Sequence, residues 1–222
     1  MGDVPTWDWL KNKEAEFKQS GCKYLILDLR GNGGGIDNYS LLFTEFMYDC
    51  SAMNDFQLLY LNGTENNRYM TKHRTNHKSE VIAEAEKAEE GTLVNWYLVK
   101  KGTGEYKPLV RKGAIIIDNY TASAGESPVR WVRNHSKNHA IVFGRERSMG
   151  CELSGNCHNV RLPHSDISLT YPMTVDTAFE QACKEKSPGH KPDVIIPLPY
   201  PKQLTDNIDS WVLWVAKQLK KK

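Results

Sequence analysis

Two nearly continuous apolar runs, each followed at once by a turn of small residues, constrain this chain more than any other feature. In the first, Lys23 to Leu29 (KYLILDL) leads into Arg30-Gly31-Asn32-Gly33-Gly34-Gly35. In the second, Ala114 to Asp118 (AIIID) leads into Asn119-Tyr120-Thr121-Ala122-Ser123-Ala124-Gly125. A strand with so little polar alternation must be covered on both faces, the condition of a parallel sheet packed between helices. The first strand, its glycine loop and the helical spacing from Ile36 to Tyr48 form half of a βαβ unit. The expectation is an α/β protein, and 222 residues suffice for a single domain with a sizeable core.

Other segments fill in around these two. Residues 7–19 place Trp7, Leu10 and Phe17 on one side of a charged amphipathic helix. Phe56 to Asn62 reads as a strand, and a polar excursion over about 63–110 ends in the helix-prone run SEVIAEAEKAEEG. A helix is expected from Glu126 to Asn134, a buried strand from Ala140 to Phe143 stopped by Gly144, irregular chain from Arg145 to Pro163, a strand from Ile167 to Tyr171, and a closing helix from Ile208 to Leu219. No internal repeat or low-complexity segment occurs.

The glycine loop sits where a backbone turns sharply and leaves amides facing a cleft, and glycine allows the positive φ and close approach such a turn needs. It is not a dinucleotide loop, because Ile36 and Asn38 occupy the third glycine positions of G-x-G-x-x-G, and no Walker lysine follows. A tight turn that binds nothing is the plain alternative. The serine turn has the same duality. Strand, short turn and helix lift a hydroxyl clear of the backbone and aim the following amide at a developing oxyanion, yet Ser123 could equally be a helix N-cap. Together the two elements supply a nucleophile and two amide donors, which favours acyl chemistry over either structural reading.

Composition excludes several classes. With 29 basic and 27 acidic residues no strong field points to nucleic acid. No run of about 18 apolar residues spans a membrane, and Asp3, Asp8, Glu14 and Glu16 occupy the stretch where a signal core would lie. Five cysteines have no metal spacing, although Cys151 and Cys157 stand close enough to clip a short loop. Asn-x-Ser/Thr triplets begin at Asn38, Asn62, Asn119 and Asn134 and decide nothing. Of seven histidines, His73 and His77 are four apart without the acid of H-E-x-x-H, so the reading carries no metal and no cofactor.

The blocks KYLILDLRGNGGG, GAIIIDNYTASAGE with HAIVFGRE, and GHKPDVIIP together resemble the S41 peptidases, the family of C-terminal processing and tricorn-like proteases. The resemblance implies a Clp/crotonase-like ββα superhelix core, a peptide or protein substrate, and an extracytoplasmic (periplasmic or secreted) setting. It implies Ser123 as the acyl-forming nucleophile, with the amides of Ala124 and Gly34 (or Gly33 or Gly35) holding the oxyanion. Glu126 matches a family acid and is expected to be a helix-start residue.

The departures matter as much. Processing proteases activate serine with a lysine in a segment that here reads Gly144-Arg145-Glu146-Arg147-Ser148-Met149-Gly150, without lysine. Tricorn-like members use a histidine from a region N-terminal to the glycine loop, and here no histidine precedes that loop. The expectation is a catalytic core whose general base lies on a missing N-terminal segment, with Glu180 as the distant acid. Two rivals stand beside it. One is an α/β-hydrolase esterase using Ser123, Asp176 and His190, which follow in the right order. The other is a non-catalytic peptide- or lipid-binding module on the same fold.

Overall fold

The computed structural model describes residues 6–73, 79–184, 188–201 and 209–221. Among them the strands are β1 (Tyr24–Asp28), β2 (Phe56–Leu61), β3 (Leu93–Val99), β4 (Lys112–Ile116), β5 (Ala140–Gly144), β6 (Ser154–Arg161), β7 (Ser168–Asp176) and β8 (Val194–Ile195). The helices are α1 (Trp7–Ser20), α2 (Asp37–Leu41), α3 (Thr64–His73), α4 (Ser79–Ala85), α5 (Ser127–His135), α6 (Phe179–Cys183) and α7 (Ser210–Lys221). The chain divides into two compact units, one made of Met1–Met53, Lys101–Glu152 and Ser187–Lys222, the other of Asn54–Lys100 and Leu153–Lys186.

The first unit is built on a parallel sheet of order β1-β4-β5-β8. Side chains alternate across a strand, and β4 and its extension bury both sets. Ile115 and Ile117 join Val129 and Val132 of α5 with Phe46 and Met47, while Ala114 and Ile116 join Trp211, Val215 and Leu219 of α7. Neighbouring strands follow the same rule, with Leu25, Leu27 and Val142 on the first side and Ile26, Ile141 and Phe143 on the second. This two-sided burial is what the apolar runs demanded, and the fold is the α/β, Clp/crotonase-like core.

Helix α1 begins where Thr6 Oγ1 accepts the Trp9 amide at 3.2 Å and ends at left-handed Gly21. It buries no residue fully, as a surface helix should, and stacks Phe17 on Phe46. The continuous helix expected from Ile36 to Tyr48 does not form. Only Asp37–Leu41 is α-helical, and Thr44–Met47 is a separate 3-10 turn. Two hydroxyls compete with the backbone there. Ser40 Oγ donates to the Asp37 and Ala124 carbonyls and Thr44 Oγ1 to the Leu41 carbonyl. The closing helix runs later than expected, and Ile208 lies outside the described residues.

The second unit holds an antiparallel sheet of order β3-β2-β7-β6. The polar stretch after Asn62 folds as α3 and α4, and its core of Tyr60, Met70, Ile82, Ala85 and Met173 is interleaved with buried asparagines. Burying an amide is costly unless it is hydrogen-bonded, and here the partners are in place. Tyr60 donates to Asn67 Oδ1 (2.8 Å), Asn67 Nδ2 to Asn62 Oδ1 (2.8 Å), and Asn62 Nδ2 to the carbonyls of Ala88 and Glu89. Tyr171 donates to Asn66 Oδ1, whose amide in turn donates to the Leu61 carbonyl.

Part of the segment Arg145–Pro163, expected to be irregular, is strand β6, paired with β7 from Ser154↔Val175 to Arg161↔Ser168. Its sequence SGNCHNVR has no apolar alternation because only His158 is buried, so the backbone ladder with β7 makes the strand. The loop clip between Cys151 and Cys157 is not made: all five cysteines are free thiols. Among the described residues, no helix is long and apolar enough to cross a membrane, and no three His, Cys, Asp or Glu side chains cluster as a metal site would require. His77 lies outside the described residues.

Candidate active site

Beyond β4 the chain runs through Ile117 and Asp118 into the serine turn, where Ser123 opens a short 3-10 segment, Ser123–Gly125. Its φ is 51°, a left-handed conformation that costs a non-glycine residue about 1–2 kcal/mol. Such strain persists only where surrounding contacts over-determine it.

The glycine loop provides one set of these contacts. A methyl group placed on Gly34, whose φ is 104°, would stand 2.7 Å from Ser123 Cβ, 3.0 Å from the Ala122 carbonyl oxygen and 3.2 Å from the Ala124 amide nitrogen. Only glycine therefore fits at 34, and the loop lies directly on the serine turn. Asn32 fastens the two together. Its carbonyl accepts the Ala122 amide at 2.9 Å, and it abuts Gly125 so closely that a methyl there would fall 2.5 Å from that same oxygen. Asn32 Oδ1 also accepts the Gly34 amide at 3.0 Å. In this conformation the Gly34 N–H is therefore engaged inside the loop.

A second set of contacts lies beneath. Buried Asp118 accepts the Gly31 and Tyr120 amides, the Thr121 hydroxyl and the Tyr200 hydroxyl, the last at 2.7 Å. Thr121 Oγ1 also lies 2.9 Å from the Leu29 carbonyl and 3.0 Å from the Asp118 amide, tying the strand ends of both blocks. Burial, followed by the bond to Asp118, pushes the Tyr200 phenol up to about 12. Arg30, its side chain almost fully enclosed, pairs with Asp28 and Asp209 and lies over the Trp211 ring. Burial opposes its charge, yet the two carboxylates hold its pKa above the usual arginine range.

The third set comes from Glu126, which is completely buried. Its carboxylate does not cap α5 but turns back. Oε2 accepts the amides of Ser123 (3.0 Å) and Cys151 (2.9 Å), and Oε1 accepts the Gly150 amide (2.8 Å) and the Ser148 hydroxyl (2.5 Å). The strap Ser148–Cys151 is in turn held by the third sequence block. His190 N donates to Ser148 Oγ at 2.7 Å, and Gly189 packs so tightly that a Cβ there would overlap the Ser148 carbonyl. Asp193 anchors that block to β5 by accepting the Val142 amide. The Cys151 thiol lies beside the Ser123 backbone. Its partial burial and the Glu126 charge push it up, against a lowering contribution from the Ser123 amide.

The structure thus brings Ser123, Ala124 and Gly34 into one place. Among the described residues no side chain hydrogen-bonds the Ser123 hydroxyl. Glu180 sits exposed on α6, 3.4 Å from Lys184 one turn later. The esterase reading is left without its base. His190 Nε2 pairs with Glu152 at 2.7 Å and its Nδ1 faces Arg133 at 3.5 Å, while Asp176 accepts the Ala178 amide at 2.6 Å. Both ring nitrogens of the required base are engaged elsewhere, and the fold is not that of an α/β-hydrolase. Sequence reading passed over Asn32, Asp118, Thr121 and Ser148. A buried-strand end followed by Asp-x-x-Thr, which closes a side-chain turn, was the available signal for two of them.

A profile of Peptidase family S41 matches residues 3–196. Among solved structures, a putative S41 protease from Bacteroides fragilis NCTC 9343 is similar with a TM-score of 0.53 and 13% identity, covering 100% of this chain and 51% of that one. Mature CPAF complexed with lactacystin is similar with a TM-score of 0.53 and 13% identity, covering 87% of this chain and 43% of that one. No curated protein matches. These likenesses are of fold, and this chain spans about half or less of each solved chain. With the profile running through both turns and the third block, the chain belongs to peptidase family S41.

Proposed function

We propose that this chain carries the nucleophile and oxyanion half of a serine peptidase site. Ser123 Oγ gives its proton to the base and attacks the scissile carbonyl, the C–N bond breaks as the amine takes that proton and leaves, and water then hydrolyses the acyl ester to a carboxylic acid and free Ser123. The observation that carries this reading is the seating of Gly34 on Ser123 at a distance no other residue allows. The Ala124 amide, 3.2 Å from that seat, is one oxyanion donor. Gly34 is the other once its amide leaves Asn32, with Gly33 or Gly35 as substitutes. A serine needs a base to react at neutral pH, and the reading takes that base from outside the described residues. Glu180 serves as the distant acid in this scheme. The substrate is a peptide or protein, and the setting is extracytoplasmic.

The test is chemical rescue. The purified chain should hydrolyse a fluorogenic peptide or an activated acyl ester slowly, and added imidazole should accelerate it well beyond the same increment in Ser123→Ala. Fast unaided hydrolysis that Ser123→Ala abolishes would refute the external base and keep the nucleophile. Equal rates for both proteins in all conditions would sink the nucleophile too. That no side chain among the described residues bonds the Ser123 hydroxyl favours one second reading, a non-catalytic peptide- or lipid-binding module, for which ligand affinity would survive Ser123→Ala.

A further inference from the structure

We infer that Glu126 is the positioning residue of the serine turn, holding Ser123 in its left-handed backbone conformation and locking the Ser148–Cys151 strap against it. The inference rests on the reading of Ser123 as nucleophile. A carboxylate with no exposure needs its oxygens satisfied, and Glu126 has two donors on each: Ser123 N and Cys151 N on Oε2, Ser148 Oγ and Gly150 N on Oε1. Three of these donors are backbone amides, so the carboxylate fixes chain geometry and not merely side-chain packing. The Ser123 amide is the donor that matters most. It belongs to the non-glycine residue with φ of 51°, and its acceptor lies only three residues ahead, so the Ser123-to-Glu126 span is closed into a rigid ring.

Alternatives for Glu126 fit less well. A helix-start charge would face the α5 amides, whereas this carboxylate makes no cap bond to them. A proton acceptor would have to reach Ser123 Oγ, which it does not bond. It acts through the backbone: pinning the Ser123 amide fixes the turn that holds Ser123 Cβ 2.7 Å and the Ala124 nitrogen 3.2 Å from the Gly34 seat, the fixed placement that electrostatic preorganisation of an oxyanion site requires. Glutamine at 126 would place an NH₂ where two donors point, and cannot satisfy all four.

Backbone NMR and serine reactivity test this on the whole chain. In the wild type, a coupling across the hydrogen bond between Ser123 ¹⁵N and the Glu126 side-chain carboxyl carbon is expected. Its absence, where equivalent couplings between β4 and β5 are visible, overturns the proposal even if no variant folds. In Glu126→Gln, Ser123 amide exchange should rise at least about tenfold and fluorophosphonate modification in imidazole should slow at least about tenfold. Probe affinity should stay within about threefold. Glu14→Gln, on the surface helix α1 and outside these contacts, should be modified within about threefold of the wild-type rate. A folded Glu126→Gln that reacts like wild type rejects the positioning role. Wild-type labelling no faster than in Ser123→Ala rejects the nucleophile reading instead, while the coupling still reports on Glu126.

Discussion

The two units solve the same problem of burial in opposite ways. In the first, the parallel sheet excludes water with Ile, Val, Leu and Phe on both faces of its central strand, and its polar groups are gathered at the strand ends around Asp118 and Glu126. In the second, polar side chains are part of the core, where Tyr60, Asn67 and Asn62 donate in series to the carbonyls of Ala88 and Glu89. An apolar core tolerates imprecise packing but loses heavily when volume is removed. A hydrogen-bonded core depends on every member being present.

The largest contrast should come from paired truncations. Ile116→Ala, in a fully enclosed site of β4, should cost about 3–4 kcal/mol, read as a lower urea midpoint. Asn67→Ala should cost about 2 kcal/mol, because it strands the Tyr60 hydroxyl and the Asn62 carbonyl. Adding Tyr60→Phe to Asn67→Ala should then cost less than Tyr60→Phe alone, since the stranded donor is gone. Independent, additive costs would break the account of a connected chain.

A smaller contrast appears only in alkali. Burial pushes the Tyr60 phenol up to about 12, helped by Tyr171 and Glu86, and burial with the Asp118 bond does the same for Tyr200. An unfolded tyrosine titrates near 10, so both folded values are raised. Their contribution to stability is whole below about pH 10 and is lost as pH rises through about 12. Ultraviolet titration should show a late step that shrinks in Tyr60→Phe and again in Tyr200→Phe.

The smallest effect belongs to the surface. Glu14 is lowered from the usual glutamate range by its bonds to Lys11 and Lys18. Its contribution is present above the unfolded value and lost as pH falls through the folded one. Glu14→Gln should change stability by less than about 0.5 kcal/mol near neutrality, and less again in high salt. A drop of 1 kcal/mol or more would mean that α1 matters more to the first unit than its lack of fully buried residues suggests.

The same contrast explains what could be read from residue order. Leu25 to Leu27, Ile115 to Ile117 and Val142 announced the parallel sheet because a residue buried on either face must be apolar. The serine turn and the glycine loop were legible as small-residue turns, and their meeting followed from the topology they implied. Strand β6 was not legible, since SGNCHNVR carries no apolar alternation and its pairing is written in the backbone, and the apolar β3 (LVNWYLV) was hidden by the charged stretches on either side of it. Nor was the role of Asn62, Asn66 and Asn67, because an asparagine in a loop and one in a hydrogen-bonded core look alike until the partner is known. At the site, Glu126 was visible as an acid after the serine, but its turn back toward Ser123 depends on donors supplied some 25 residues later by Gly150 and Cys151.

The first unit is assembled from three separated stretches of chain, and this bears on its birth. During synthesis β1 and the glycine loop emerge before their partner, and β4 joins β1 only after the stretch from Asn54 to Lys100 has been made. The strap over Ser123 gains its brace later still, when Gly189, His190 and Asp193 have left the ribosome. Pairings so distant in sequence are slow to close, and a nascent chain halted before that block would expose apolar strand surface and a serine turn without its clasp. The clasp on the Ser123 turn is therefore set well after the turn itself has been made, a built-in delay between shaping that loop and fixing it.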